Sequence, residues 1–380
     1  MTRVMDVTMF WGGHSGGIRR HVLTKRHWIA RDPAWRHTLV APGASGADTV
    51  DVGSLHLPCT GGYSLPWRLA GLADRLAAAG PDLLELADPF MLSGPALHAA
   101  RSLGVPVVGF CHSNVAAMGR RWGGRLAEDL ARRHLCRVYG QCDLVLAPSQ
   151  DMVRQLHDWG LGHAQRQALG VDTQVFHPAC RDPGWRSELG LLPGSLVLVY
   201  AGRFAPEKNL HVLAAAAQRL GTACTLVCVG DGPKPPGGSR TIRLPFTNDR
   251  AALARLLASA DIFVHAGDQE TFGLSVLEAM ACGCPVVGLA AAGLAELIDT
   301  HVGQAVSRNT PEEFAEAITA TLHRDREKLG RAARARALTH SWEHVLPGLF
   351  ARYEALIQPR YNAKCAVNNA STAANSTSLG

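Results

Sequence analysis

A chain of 380 residues with 47% hydrophobic side chains is too long for one compact core and points to two domains. Only 18% of the residues are charged, which excludes a disordered polyelectrolyte. The net charge of +6 rests mainly on arginine, because lysine stands only at positions 25, 208, 234, 328 and 364, and a basic surface favours anionic ligands.

The ten cysteines would suit a disulfide scaffold, yet MTRVMDVTMFWGG lacks the apolar stretch of a secretory signal, and Cys282 and Cys284 stand among apolar neighbours. Reduced, buried thiols are expected, and the absence of paired C-x-x-C knuckles argues against structural zinc. Residues 279–295 carry no charge but are broken by Gly283, Pro285, Gly288 and Gly293, which does not suit a spanning helix. Arg19, Arg20, Lys25 and Arg26 form one basic cluster, and Arg120, Arg121, Arg125, Arg132, Arg133 and Arg137 another. Each reads either as a solvated helix face or as a contact with an anionic membrane or a phosphorylated acceptor.

In chain order, VTMFWGG, HTLVAP, PDLLELAD, VPVVGFCHS and CDLVLAPS are apolar runs that alternate with amphipathic segments. Such runs suit parallel strands covered on both faces, and an open α/β sheet binds ligands just beyond the C-terminal ends of its strands. A polar stretch with Pro178 and Pro183 separates this half from a second succession, SLVLVYAGR, CTLVCVGDG, TIRLPF, DIFVHAG and CPVVGLA. The reading is a domain over residues 1–177, another over 178–340, an amphipathic helix over 341–358 and an unstructured tail over 359–380. A ligand cleft between the two halves is expected.

The first glycine cluster, Gly12, Gly13, Gly16 and Gly17 around His14 and Ser15, follows the opening strand, where backbone can approach a phosphate closely. Its spacing departs from G-x-G-x-x-G, so a dinucleotide site is disfavoured. His112 in FCHSN stands at a strand end, either as a ligand for a sugar hydroxyl or as an ordinary satisfied histidine. Asp88 and Ser149 hold equivalent places, with turn formation as the default.

In the second half, YAGRFAPEKNL puts Arg203 and Lys208 on the turn after a strand. Fixed cations there would stabilise the charge that grows on a departing diphosphate, while Arg203 taken alone also reads as a surface ion pair. HAGDQETFGLSVLEAMACGCPVVG places Glu270 after a strand and Glu278 on a helix beginning near Gly273. Backbone amides of Thr271, Phe272, Gly273 and Leu274 could hold a diphosphate, and Glu278 could accept from two neighbouring hydroxyls. The bland alternative is a helix-capping Glu270 and a surface Glu278. Pro245 and Phe246 close the run TIRLPF.

Taken together, the early glycines, CHSN, APS, GVDTQVFHP, AGRFAPEKN, VGDGP and E-T-F-G-x-x-x-x-E-A-M-A-C-G-x-P-V-V resemble retaining family-four glycosyltransferases of the GT-B fold. The resemblance runs from about residue 9 to 350 and implies two Rossmann-like domains facing a cleft, with a final helix crossing back to the first. It implies that Arg203 and Lys208 bind the donor diphosphate, Glu278 the ribose, Glu270 and adjacent backbone the sugar, Gly17 (with Gly16) a phosphate, and His112 the sugar near its reacting carbon. It also implies that backbone over 245–248 holds the base and that loops over 61–67 and 118–124 meet the acceptor. CHSN and ELADPF favour bacterial mannosyl and sulfolipid branches, hence GDP-mannose, with a UDP-sugar donor or a non-catalytic sugar-nucleotide module as alternatives. The chain contains no D-x-D triplet, consistent with leaving-group stabilisation by Arg and Lys rather than a metal. No cofactor is expected beyond the sugar nucleotide as co-substrate. The expected partners are a nucleotide-sugar donor and a lipid or glycan acceptor, without nucleic acid, in a cytoplasmic chain touching the inner face of the membrane.

Overall fold

A computed structural model describes residues 1–12, 16–56, 63–192 and 194–376. The chain forms two compact units: Met1–Ala147 with Leu156–Gln167 and the helical stretch from Leu346 onward, and Pro148–Gln155 with Ala168–Val345.

In the first unit the strands are β1 (Thr2–Val7), β2 (Trp35–Val40), β3 (Thr49–Val50), β4 (Leu55–His56), β5 (Ser64–Leu65), β6 (Leu83–Leu86), β7 (Val107–Phe110), β8 (Leu144–Ala147) and β9 (Ala164–Arg166). Seven form a parallel sheet in the order β3-β2-β1-β6-β7-β8-β9, and β4 pairs with β5 apart from it. β6, β7 and β8 are buried along their whole length, which matches their unbroken apolar sequences. The chain winds outward from β1 to β3 and returns on the other side of β1 with β6, so the winding reverses between β1 and β6.

β1 starts ahead of the VTMFWGG run from which a strand was expected. Arg3 and Asp6 break the apolar pattern of TRVMDV, and Asp6 is tolerated inside because it is neutralised there. The Lys25 ammonium, wholly buried on the helix Gly17–Ile29, donates to Asp6 Oδ1 at 2.6 Å, Glu85 Oε1 at 2.7 Å and Tyr353 OH at 3.2 Å. His37 Nε2 lies 2.7 Å from Asp6 Oδ2, and the Tyr353 hydroxyl donates to Glu85 Oε2. Burial alone would neutralise Glu85, but Lys25 and His21 hold its carboxyl well below the usual range. Burial likewise opposes the charge on Lys25, and Asp6 with Glu85 overcome it and raise its pKa. Lys25 is therefore not part of a surface basic cluster.

Tyr353 belongs to the helix Trp342–Ser376, which also sets Phe350 edge-on to Trp35 at 5.0 Å and lets Arg352 donate to Gln167 Oε1 at 2.8 Å. This helix returns to the first unit, and its backbone runs on through Pro359 to Ser376, where an unstructured tail was expected. Alanines at 363, 366, 370, 373 and 374 with no glycine between them give that stretch its helix propensity. The first unit gives way after Gln167, ahead of the expected boundary at residue 177, because GVDTQVF joins the second: Val171 bridges Ser341 and Arg334 donates to the Thr173 and Phe176 carbonyls.

Asp88 follows β6 and fastens the two strands of the reversal together. It accepts from Thr8 Oγ1–H at 2.8 Å, Met9 N–H at 2.7 Å and Phe90 N–H at 3.3 Å. Burial pushes its carboxyl up to about 6, against the pull of those three hydrogen bonds.

The second unit holds β10 (Leu196–Ala201), β11 (Cys224–Val229), β12 (Thr241–Leu244), β13 (Ile262–His265), β14 (Val286–Leu289) and β15 (Gly303–Val306), all parallel, in the order β12-β11-β10-β13-β14-β15. Its winding reverses between β10 and β13. A core including Tyr200, Leu213, Leu226, Val264 and Phe314 packs one face. Gly230 has φ 154°, and a Cβ there would lie 1.9 Å from the Gly202 carbonyl oxygen, so the loops after β10 and β11 touch backbone to backbone. Cys111, Cys136, Cys142, Cys180, Cys224, Cys228, Cys282 and Cys284 are free thiols, and all but Cys136 and Cys180 are buried.

Replacing Lys25 by Met would strand Asp6 and Glu85 as buried charges, so urea denaturation should show a loss of about 3–5 kcal/mol; an unchanged midpoint would reject the network's role. Asp88 binds its proton more tightly in the fold than in the unfolded chain, so its contribution to stability falls as pH rises from about 4 to about 6. The stability difference between the wild-type chain and Asp88→Asn should therefore shift by roughly 2 kcal/mol across that window, and a pH-independent difference would refute the assignment.

Candidate active site

Parallel strands deliver all their C-terminal ends to one edge, and a reversal of winding opens a crevice there. In the second unit that edge carries the loops after β10 and β13. From β10 the chain passes Gly202 and Arg203 and makes a short turn over Pro206–Lys208. It then enters the helix Leu210–Arg219 through Asn209, whose φ is 50°. The Asn209 side chain donates to the Ala266 carbonyl at 3.0 Å, and Asp268 N–H donates to the Glu207 carbonyl at 3.3 Å. These bonds hold the two loops in one register.

The Lys208 ammonium donates to Glu270 Oε2, with side-chain exposures of 16% and 21%, so both groups remain reachable from solvent. His265, the last residue of β13 and 1% exposed, accepts from Gly267 N–H through Nδ1 at 3.1 Å. Nε2 must then carry the proton, and it lies 3.4 Å from Glu270 Oε2. Burial lowers the His265 pKa despite Glu270, leaving a neutral imidazole. Burial would raise that of Glu270, but Lys208 and His265 overcome it and keep the carboxylate ionised. Arg203, 60% exposed, pairs with Glu207 Oε1 at 2.7 Å, and its carbonyl accepts from Tyr200 OH at 3.0 Å.

Beyond Glu270 the loop is fixed from behind. Gly293 N–H donates to the Glu270 carbonyl at 2.8 Å, and a Cβ on Gly293 would meet Thr271 O at 2.4 Å. Phe272 is buried at 2% exposure, Gly273 takes φ 100° as the cap, and the helix Leu274–Ala281 follows. Glu278 lies on that helix at 4% exposure, so it is not the surface carboxylate of the bland reading. Pro245 and Phe246 come directly after β12, exposed on the same strand edge two strands away from β10.

In the first unit, Gly16 caps and Gly17 begins the helix Gly17–Ile29, with Arg19 and Arg20 in its first turn. Gly13, His14 and Ser15 lie outside the described residues. His112 follows β7, buried, with its ring stacked on Phe110 at 4.0 Å and 5.1 Å from the His21 ring. Burial, then repulsion from His21, lowers its pKa well below the ordinary value. Ser149 caps the helix Gln150–Asp158 by accepting from Met152 N–H at 3.2 Å, a structural use. Among the described residues His21, Glu85 and His112 bring ligand atoms within 4.8 Å of one another. Glu85 is already held by Lys25 and Tyr353, so a cation there would have to displace a buried ammonium.

The structure thus brings Lys208 and Glu270 into contact, sets Arg203 and Glu278 on adjoining loop and helix, and leaves Pro245 and Phe246 farther along the edge. Gly16, Gly17 and His112 stand on the corresponding edge of the first unit. Sequence reasoning passed over His265, Asn209 and His21. His265 had a readable signal, since it ends an apolar strand just as His112 follows one.

Residues 15–175 match the family described as Glycosyltransferase Family 4, and residues 195–324 match the one described as Glycosyl transferases group 1. A GDP-mannose-dependent alpha-mannosyltransferase of Mycolicibacterium smegmatis is 34% identical over 74% of this chain and 75% of its own length. A GDP-mannose-dependent alpha-(1-6)-phosphatidylinositol dimannoside mannosyltransferase of Mycobacterium tuberculosis is 30% identical over 93% of this chain and 96% of its own. The structure of sucrose-phosphate synthase from Thermosynechococcus elongatus superposes with a TM-score of 0.77 at 19% identity, covering 94% of this chain and all of that one. With its two doubly wound sheets of GT-B type, the chain belongs to glycosyltransferase family 4 and is a hexosyltransferase.

Proposed function

We propose that the chain transfers mannose from GDP-mannose to a hydroxyl of a lipid or glycan acceptor, with retention at the sugar carbon. The observation that carries this reading is the reachable Lys208–Glu270 pair at the reversal of the second sheet. The named activities of relatives at 30% and 34% identity support the choice of donor.

Breaking the sugar–phosphate bond leaves negative charge on the departing diphosphate, and preorganised cations at that position lower the barrier. Lys208 and Arg203 are assigned that role, so the reaction needs no metal. Glu270 and the backbone of Thr271, Phe272, Gly273 and Leu274 orient the sugar and its phosphate, and the neutral His265 fixes the Glu270 carboxylate through Nε2–H. Glu278 accepts from the ribose hydroxyls, and backbone at Pro245 and Phe246 meets the base. On the first unit Gly16 and Gly17 serve a phosphate, and the uncharged His112 bonds a sugar hydroxyl.

Before the donor arrives, Glu270 neutralises Lys208; an incoming diphosphate competes for the same ammonium. Glu270→Gln should therefore bind GDP several-fold more tightly by calorimetry while transferring mannose more slowly, and unchanged GDP affinity would sink the competition. Lys208→Ala should lower kcat/KM by about 10²–10³-fold, as loss of one charge-stabilising donor does elsewhere. Release of GDP or UDP from a panel of sugar nucleotides tests the donor: turnover with GDP-mannose is expected, and turnover only with a UDP-sugar would overturn that choice.

A further inference from the structure

The helix Val115–Tyr139 is two arms rather than one rod. Gly123 (φ −143°) and Gly124 (φ 65°, ψ −157°) break it, and the first arm leans on the second, since a Cβ on Gly119 would meet the Ala127 carbonyl oxygen at 2.8 Å and Ala131 Cβ at 3.2 Å. The second arm turns Leu135, Val138 and Tyr139 inward. At 100° per residue, its opposite face is a stripe of Leu126, Leu130, Arg133 and Arg137. Leu126 is 72% exposed and Leu130 58%, although a helix of this kind ordinarily keeps its leucines inside.

The helix carries six arginines against Glu128 and Asp129. Both acids are engaged, Glu128 by Arg120 at 3.5 Å and Asp129 by Arg132 at 2.8 Å. Among the described residues no ion pair engages Arg125, Arg133 or Arg137. Beside the stripe runs an open groove of about 550 Å³, lined by Met91, Leu97 and Val138 together with His98, Arg101 and Arg137. Arg137 is common to groove and stripe, so the two form one surface.

We propose that this face of the first unit docks the chain on an anionic bilayer, the leucines entering the interfacial layer, the arginines over lipid phosphates, and the groove admitting one anionic headgroup with the start of its chains. Apolar side chains ringed by cations match such a surface, where each arginine adds a comparable increment of attraction. A glycan would give no reward for the leucines. A second copy in a two-fold contact would set arginines against arginines. No helix among the described residues is long and apolar enough to cross a membrane, so the contact lies on the surface. Phe90 and Met91 follow Asp88 just beyond β6 and line the groove, so part of its lining comes from that strand edge. Docking stands independently of the donor assignment; delivery of a lipid acceptor to that edge rests on it.

Co-sedimentation of the full chain with phosphatidylglycerol-containing vesicles and with pure phosphatidylcholine vesicles tests the surface. Binding to the anionic vesicles alone is expected, lost at about 1 M salt, where screening is nearly complete. Arg133→Gln with Arg137→Gln should weaken it by about 30-fold, and Leu126→Ser with Leu130→Ser should weaken it on the same vesicles without altering its salt dependence. Equal binding to both vesicle types, binding to neither, or undiminished binding by both double variants would overturn the proposal. So would a mass in sedimentation velocity that drops when the stripe is changed, which would make the face a contact between copies. A chain that transfers sugar from its donor to a soluble acceptor yet ignores both vesicle types would refute docking and leave the donor reading standing.

Discussion

β10 and β13 are hydrogen-bonded neighbours even though β11 and β12 lie between them in sequence, and the second unit's chemistry depends on that adjacency. Leu198 lies beside Ile262 and Val199 beside Phe263, a register that brings both strands to the same edge within a residue or two. Because the strands are parallel, the loops carrying Lys208 and Glu270 have to leave side by side. Asn209 then reaches across to the Ala266 carbonyl and removes the remaining freedom. An ion pair between groups sixty-two positions apart in sequence thus follows from strand order, with two loop hydrogen bonds to refine it.

The first sheet repeats the arrangement with different chemistry at the join. There the crossing is made by Asp88, which draws the loop after β1 toward the end of β6 through Thr8 and Met9. Its hydrogen bonds are spent on the protein's own backbone and hydroxyl, and only the one from Phe90 N–H belongs to the local turn expected of Asp-Pro, while those from Thr8 and Met9 join two strands. In the proposed reading the groups of that edge assigned to ligand are instead the helix start at Gly16 and Gly17 and the buried imidazole of His112. Both are groups without formal charge, and the proposal assigns the cationic role to Arg203 and Lys208 of the second unit.

Much of this was legible because parallel sheets write themselves plainly: unbroken apolar runs mark the strands, and the polar residues just beyond them mark the ligand edge. Arg203, Lys208, Glu270 and Glu278 could be placed in that way before any coordinates. What failed was whatever depends on partners far along the chain. TRVMDV does not look like a central strand, since Asp6 becomes acceptable only with Lys25 and His37 packed against it. Lys25 in turn looks like one more surface charge in RRHVLTKRH, and the hydroxyl that completes its shell comes from Tyr353, 328 positions on. The turn at Gly123 and Gly124 was equally hidden. Residues 118–124 read as a loop, but they form the end of one helical arm and the bend into the next. Of the other expected acceptor loop, residues 61 and 62 lie outside the described structure.

The two units use the same pair of ions to opposite ends. Lys25 is fully buried with two carboxylates and a phenol around it, and no solute can take the place of any of them. Such a pair specifies an arrangement, here the seating of the C-terminal helix on the first sheet, and removing one member leaves an uncompensated charge in the interior. Lys208 and Glu270 keep about a fifth of their surface in water, so each has a solvated alternative and neither is trapped. In the proposed reading that access is what lets an incoming diphosphate compete with Glu270 for the ammonium. Burial, more than the identity of the ions, separates the pair that builds the fold from the pair available to do chemistry.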